Sequence, residues 1–193
     1  MTDEQRELVL KALWPQGEKP TLGVWAILDC ARDPQIYLAL LESRLEFRCL
    51  YSGTLPRALE MVAPHLVELS PANRLTRHWL DIGWGQSWGV FLKIHDAANL
   101  RHHLRKFLKV HDPLGRSLLF RYYDPRVLRA FLPMAEPQQR QALFGPIDAW
   151  LAEDGAAGLV EFKHHSRTGL TARALPITVR VAGMPAQSDT RTP

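Results

Sequence analysis

The sequence predicts an α/β fold: a single domain with a mixed, mostly parallel sheet flanked by helices, followed by a C-terminal extension. Short apolar segments typical of strands alternate with amphipathic segments typical of helices, which is the pattern of a sheet covered by helices. Residues 24–31 form an apolar run that suits a strand buried on both faces. The 193 residues are enough for one complete core and short for two.

The amino-terminal half contains four strand segments and the helices between them. Thr2 and Gln5 have the spacing of a capping box, which predicts a helix over residues 3–14. Asp33 and Pro34 begin a second helix, because proline is favoured at the first helical position. The predicted strands cover residues 24–31, 47–53, 65–69 and 88–94, and further short helices cover residues 56–61 and 74–82.

The carboxyl-terminal half begins with a basic helix over residues 96–109, which Asp96 is predicted to cap. A turn signal at residues 112–115 predicts a hairpin. Asp124 is placed as the N-cap of a helix that Pro125 opens, and Pro137 opens another. Beyond residue 154 the sequence predicts an edge strand over 159–165 and a further strand over 175–181.

These elements divide the chain into three parts. Residues 1–23 form an N-terminal helix and linker, residues 24–154 form the central α/β domain, and residues 155–193 form the C-terminal extension. The last ten residues are small and polar, so we expect them to be disordered.

The charge is moderately basic, with a formal net charge of +4 and a pI near 9.3. Such a balance is typical of a solvated helix face or of a surface for an acidic partner. Nucleic-acid binding through the helix over 96–109 is an alternative that the sequence does not favour. No apolar run approaches the roughly 20 residues that span a bilayer, and the first residues are acidic where a secretory signal is basic. We therefore expect a cytoplasmic protein without membrane association.

Most residues that could bind a metal or a phosphate lack the number or the spacing that such a site requires. Cys30 and Cys49 are too few for a structural zinc site and are expected to stay reduced. His102 and His103 are adjacent on a predicted helix, so their side chains point roughly 100° apart and chelate poorly. The glycines of GWGQSWG follow a helix and precede a strand, which is the reverse of a phosphate-binding loop. Trp84 and Trp88 of this segment suit a hydrophobic core or the lining of a groove, and core packing is favoured. The sequence therefore predicts no metal site and no cofactor.

Asp29 is the one acid that suggests catalysis, because ligands of open α/β sheets bind beyond the carboxyl ends of strands. A hydrolase-like enzyme with its site around Asp29 is the alternative function. The acid is equally suited to cap the next helix or to pair with Arg32 or Arg121. No second acid converges at a recognisable spacing, so we assign no catalytic residue.

Two segments indicate recognition of a protein: LFRYYDPRVLRAFLP, residues 119–133, and GWGQSWGVFL, residues 83–92. Aromatic and arginine side chains are enriched where proteins bind each other. Arg126 and Arg129 lie on one side of the predicted helix, where they suit either a partner's carboxylates or ordinary intramolecular pairs. The candidate partner-binding residues are Trp84, Trp88, Arg121, Tyr122, Tyr123, Arg126 and Arg129.

The ordered series WAILDCARDP, CLYSGTLP, APHLVEL, GWGQSWGVFL, LRHHLRKFLKV, LLFRYYDPRVLRAFLP and FGPIDAWLAED resembles a bacterial domain-of-unknown-function family. Members of that family serve as type VI secretion effector adaptors, also called effector chaperones. The resemblance implies a cytoplasmic protein that is not an enzyme and needs no cofactor. It implies two protein partners, the N-terminal region of a cognate toxin and the VgrG spike onto which the toxin is loaded. It also implies a groove lined by aromatic and arginine side chains.

Overall fold

The computed structural model describes residues 1–15, 22–112, 114–155, 158–165 and 168–177. The helices are α1 (Asp3–Leu13), α2 (Pro34–Ser43), α3 (Arg57–Glu60), α4 (Arg74–His78), α5 (Leu100–Arg105), α6 (Pro125–Met134) and α7 (Pro137–Phe144), and a π-helical turn, Trp79–Gly83, continues α4. The strands are β1 (Gly23–Asp29), β2 (Phe47–Cys49), β3 (Pro64–Leu69), β4 (Gly89–Ile94), β5 (Lys109–His111), β6 (Ser117–Leu119), β7 (Ala149–Asp154), β8 (Gly158–His165) and β9 (Gly169–Pro176).

Seven strands form one sheet in the order β2-β3-β1-β4-β7-β8-β9, and β5 and β6 form a separate two-stranded ribbon. Every hydrogen-bonded pair of strands is antiparallel. The prediction of a mostly parallel sheet is therefore wrong, whereas the α/β class is confirmed. None of the helices in the described ranges is long and apolar enough to cross a membrane.

The error has a topological cause. The chain segment from β1 to β4 is a split βαβ arrangement, in which β3 lies between β1 and β2, and β1 lies between β3 and β4. The strands that α2 and α4 connect do run in the same direction, but they are not neighbours. An oppositely directed strand fills each gap, so all pairs are antiparallel. Alternation of strands and helices along a sequence does not reveal such gaps.

Helices cover both faces of the sheet and form two apolar cores. On one face α1, α2 and α4 contribute Val9, Ile36 and Leu75. On the other face α5, α6 and α7 contribute Leu104, Leu128 and Leu143. Alternate β1 residues face the two cores, which explains why the predicted first strand is apolar throughout.

The sequence predicted the first residues of the helices better than it predicted the limits of the strands. The Thr2–Gln5 capping box is present, and the side chains of Asp33 and Asp124 cap α2 and α6. The prediction that Asp96 caps the basic helix is wrong: α5 begins at Leu100, and Asp96 instead accepts a hydrogen bond from the N–H of Ala98 at 2.8 Å. The turn before α5 therefore displaces the helix start by several residues.

The strands after residue 148 differ most from the sequence prediction. β7 was not predicted, and β8 lies between β7 and β9 rather than at an edge. Residues 158–176 thus continue the same sheet as β1–β4. The predicted disordered end, and residues 178–181 of the last predicted strand, lie outside the described residues. Cys30 and Cys49 are free thiols, and β3 separates the two strands that precede or contain them.

Candidate binding surface

The carboxyl ends of β1 and β7 meet the amino end of β4 at one end of the sheet. Leu28 faces Gly89 in the register of β1 and β4. Phe91 faces Leu151 in the register of β4 and β7, which places Glu153 beside the start of β4. The loop before β4 and the start of α6 carry side chains to the same end, as the contacts below show.

Asp29 ends β1 and is an internal ion-pair partner. Its side chain is 1% exposed, and its Oδ2 accepts a hydrogen bond from Arg121 Nη2. Its Oδ1 accepts a second hydrogen bond from the N–H of Ala31 at 3.3 Å. Both carboxylate oxygens of Asp29 are thus engaged, so the contact with Arg121 joins β1 to the segment that leads into α6.

Asp124 combines a helix cap with an ion pair. Its Oδ1 accepts from the N–H and from the Nε of Arg126, both at 3.0 Å, and its Oδ2 accepts from Nη2 at 2.6 Å. Burial alone would raise the pKa of Asp124, but the hydrogen bonds and the charge of Arg126 lower it. Asp124 therefore stays ionised and holds the Arg126 side chain against the helix start.

Glu153 anchors the glycine–tryptophan loop from the end of β7. Its carboxylate is 3% exposed and accepts from the N–H of Gly85 at 2.8 Å and from the N–H of Ser87. Ser87 has a φ of 59°, a left-handed conformation that a serine adopts only at a cost. Burial raises the pKa of Glu153, and the two N–H groups partly oppose this rise. The loop conformation thus depends on a buried carboxylate.

An open pocket of about 330 Å³ lies between this loop and α6. We call it the arginine pocket; it is lined by Arg32, Gly85, Gln86, Ser87, Arg126, Arg129, Glu153 and Gly155. Arg32 Nη2 donates to the carbonyl oxygen of Gln86 at 3.3 Å. Arg129 Nη1 donates to the carbonyl oxygen of Glu153 and lies 3.1 Å from Asp154 Oδ1.

The seven residues that the sequence singled out for partner binding fall into two groups. Arg121, Arg126 and Arg129 reach the surface at this end of the sheet, and each has an internal acidic partner. The aromatic members are buried in the two cores: Trp84, Trp88, Tyr122 and Tyr123. The structure thus places the arginines on the surface and the aromatic rings in the cores beneath them. The two kinds of side chain do not line one groove together.

A second concave surface, which we call the apolar groove, lies beside the ribbon. It has a volume of about 440 Å³ and is lined by Leu50, Tyr51, Ser52, Leu55, Leu59, Arg105, Leu108, Lys109 and Leu119. Leu59 on α3 is 42% exposed and Leu119 on β6 is 51% exposed. Apolar side chains exposed together in a concave surface are typical of a binding site.

The basic helix predicted over residues 96–109 is partly committed to internal contacts. Arg101 donates from Nε to the carbonyl oxygen of Cys49 at 2.8 Å and from Nη2 to that of Tyr51 at 3.3 Å. His103 Nε2 donates to the carbonyl oxygen of Leu143 at 3.0 Å, and burial lowers the pKa of His103. Arg101 thus holds the chain beside the apolar groove, and His103 joins α5 to α7, which leaves fewer charges for a nucleic acid.

Two charged residues of the arginine pocket, Arg32 and Glu153, were not in the predicted binding set. Arg32 was considered only as a partner of Asp29, and Glu153 belongs to the unpredicted strand β7. The sequence signal for β7 was the apolar run of residues 149–152, which lies between Gly145 and Gly155. Across the residues whose placement is described, no three histidines, cysteines or acids converge as metal ligands.

The protein is thus an antiparallel α/β domain with a pocket and a groove at the strand ends. The chain belongs to the family described as Domain of unknown function (DUF4123), which it matches over residues 24–142, from β1 into α7. No curated protein matches the chain, and no solved structure matches it.

Proposed function

We propose that this protein is a cytoplasmic type VI secretion adaptor without catalytic activity. It binds a cognate effector, a toxin, through the effector's N-terminal region and promotes its loading onto the VgrG spike. The resemblance of the ordered segments over residues 24–154 suggests this role, and the match to DUF4123 is consistent with it. The observation that carries the binding function is the exposed apolar groove.

The groove suits a protein segment with both apolar and acidic residues. Leu55, Leu59 and Leu119 offer apolar surface, and covering it is favourable by about 25 cal/mol for each Å² removed from water. Arg105 and Lys109 add positive charge to the same wall. An acidic residue of the bound segment would fix its register against these cations.

The ribbon next to the groove is preorganised for binding. All six residues of β5 and β6 are exposed, and no further strand pairs with the ribbon in the described part of the chain, so each strand has an outer edge open to a partner strand. Asp112 fixes the turn, because its Oδ1 accepts from the N–H groups of Leu114 and Arg116, both at 2.9 Å, and its Oδ2 accepts from Arg116 Nε at 2.6 Å. A preformed ribbon lowers the entropic cost of binding.

Co-expression with any toxin and spike protein that the neighbouring genes encode, followed by pull-down, tests the proposal. We expect a complex with the toxin, and no complex with either protein would refute the adaptor function. Leu59→Glu and Leu119→Glu should each weaken toxin binding by about tenfold or more, the effect expected of central interface residues. The control Leu38→Glu changes a leucine that is 54% exposed on α2, away from the groove, and should leave affinity unchanged.

A further inference from the structure

The arginine pocket has unused hydrogen-bond donors. A guanidinium carries five N–H groups, and Arg32 uses one of them, on the carbonyl oxygen of Gln86. Among the described residues Arg32 forms no ion pair, although its charge contributes to the lowered pKa of Asp124. Arg126 uses Nε and Nη2 on Asp124, and no hydrogen bond within the described ranges involves its Nη1. Both arginines line the open arginine pocket.

The carboxylates in and beside the same pocket already accept hydrogen bonds. The carboxylate of Glu153 accepts two backbone N–H groups, and its carbonyl oxygen accepts from Arg129. Asp124 accepts three hydrogen bonds from Arg126. A ligand therefore gains most by supplying acceptor oxygens, and planar oxygens match the fork of a guanidinium.

Charge balance favours a singly charged ligand over a dianion. Arg126 is compensated by Asp124 and Arg129 by Asp154, which leaves Arg32 as the cation without an acidic partner among the described residues. Glu153 lines the same pocket, and wherever its carboxylate is ionised a dianion would meet more repulsion there than a monoanion.

We propose that the arginine pocket is a carboxylate-binding site in which Arg32 and Arg126 contact the ligand. The source of the carboxylate is an acidic side chain of the bound effector segment, and in this respect the inference rests on the proposed function. Arg129 positions the end of β7 and is not assigned a ligand contact.

The position of the pocket relative to the apolar groove supports this source. Leu50 in the groove donates its N–H to Pro64 at the start of β3, and Pro64 faces Asp29 at the end of β1. Both surfaces therefore lie at the same end of the sheet. About three strand spacings separate them, roughly 15 Å. An extended segment of about five residues covers that distance, so one segment reaches both.

Titration of the protein with butyrate, a monocarboxylate, followed by the NMR signals of the arginine Nε–H groups, tests the site itself. The signals of Arg32 and Arg126 should shift together along one saturable curve. Arg32→Gln, which changes an exposed side chain, should abolish saturation. Absence of a saturable shift in the wild-type protein would overturn the inference. A parallel titration with inorganic phosphate that saturates at lower concentration would overturn the assignment to a carboxylate.

Arg48→Gln is the matched control for this titration. Arg48 pairs with Glu46 two residues away, as Arg126 pairs with Asp124, and the two arginine side chains are 58% and 55% exposed. Arg48→Gln should leave the butyrate curve unchanged. Equal loss in Arg48→Gln and Arg32→Gln would show a general charge effect and would refute the site.

The toxin pull-down separates this inference from the proposed function. Arg32→Gln combined with Arg126→Gln should weaken toxin binding by about tenfold. Unchanged toxin affinity would refute the effector as the source of the carboxylate and leave the adaptor function standing. Saturable butyrate binding without any toxin complex would refute the adaptor function and support the carboxylate site.

Discussion

Replacing Glu153 by alanine should destabilise the protein and release the loop that forms one wall of the arginine pocket. The carboxylate is the acceptor for the N–H groups of Gly85 and Ser87. Ser87 is buried and is held at positive φ, so its N–H has no ready alternative acceptor in water. Without Glu153 the two hydrogen bonds are lost, and no contact from this carboxylate then holds Ser87 at positive φ.

The magnitude follows from these contacts. A buried N–H left without an acceptor costs about 1–3 kcal/mol, which applies in full to Ser87 and only in part to Gly85, which is less buried. Removal of the carboxylate also removes the cost of burying its charge, the same cost that raises the pKa of Glu153. We therefore expect the free energy of unfolding to fall by about 2–3 kcal/mol in Glu153→Ala. Glu153→Gln keeps one acceptor oxygen and should lose about 1 kcal/mol.

Urea unfolding, followed by tryptophan fluorescence, measures the free energy of unfolding, and the signal is sensitive to the loop because Trp84 and Trp88 flank Gly85 and Ser87. The matched control is Glu68→Gln, which alters an exposed strand glutamate and should change stability by less than about 0.5 kcal/mol. A loss below about 0.5 kcal/mol in Glu153→Ala would refute the argument that this carboxylate anchors the loop.

The raised pKa of Glu153 adds a pH signature to the same comparison. In the interval between its ordinary value of 4.5 and its folded value, the folded state binds more protons than the unfolded state. The contribution of this group is therefore fully present below pH 4.5 and decreases as the pH rises through the folded pKa. The stability difference between wild type and Glu153→Gln should decrease over that interval, and an increase would contradict the pKa direction.

Two further substitutions test the fold. Lys93→Met removes an ammonium group that donates to the carbonyl oxygen of Ala12 at 2.7 Å and to Glu161 at 3.4 Å, and should lower the free energy of unfolding by about 2 kcal/mol in urea unfolding. Gly89→Ala places a Cβ 2.0 Å from the carbonyl oxygen of Ile27, so β1 and β4 must separate locally; we expect a loss of about 3 kcal/mol, measured by thermal unfolding.

Each of these two substitutions has a control in the same sheet. Lys163→Met removes a more exposed partner of Glu161, so a loss as large as that of Lys93→Met would refute the importance of the buried contact to α1. Gly158→Ala meets neighbours only at 3.4 Å, an ordinary contact distance, and should be nearly neutral. Gly89→Ala as stable as Gly158→Ala would contradict the close approach of β1 and β4.

The positions of helix starts could be predicted from local sequence because they depend on neighbouring residues. A side chain such as Asp33 or Asp124 satisfies an N–H only two residues away, so the signal is contained in the chain itself. The start of α5 is the exception, since Asp96 satisfies a turn instead of a helix. Strand β7 was missed because a short apolar run between two glycines fits a buried helix segment as well as a strand.

The candidate site was only partly predictable. The sequence indicated that arginines near α6 matter, and the structure brings Arg126 and Arg129 together with Arg32. It also suggested that the aromatic residues line a surface, yet Tyr122 and Trp88 are buried. Composition does not distinguish an aromatic core residue from an aromatic surface residue, because the same side chain suits both environments.

The sequence by itself determined the α/β class, the helix caps and the concentration of arginines around α6. Only the tertiary structure decided the antiparallel order of the sheet, the meeting of Arg32 with Glu153 and the exposure of the apolar groove. The physical reason is distance along the chain. Caps and apolar runs are contacts within a few residues, whereas Gly85 and Glu153 are 68 residues apart and meet only because β4 pairs with β7.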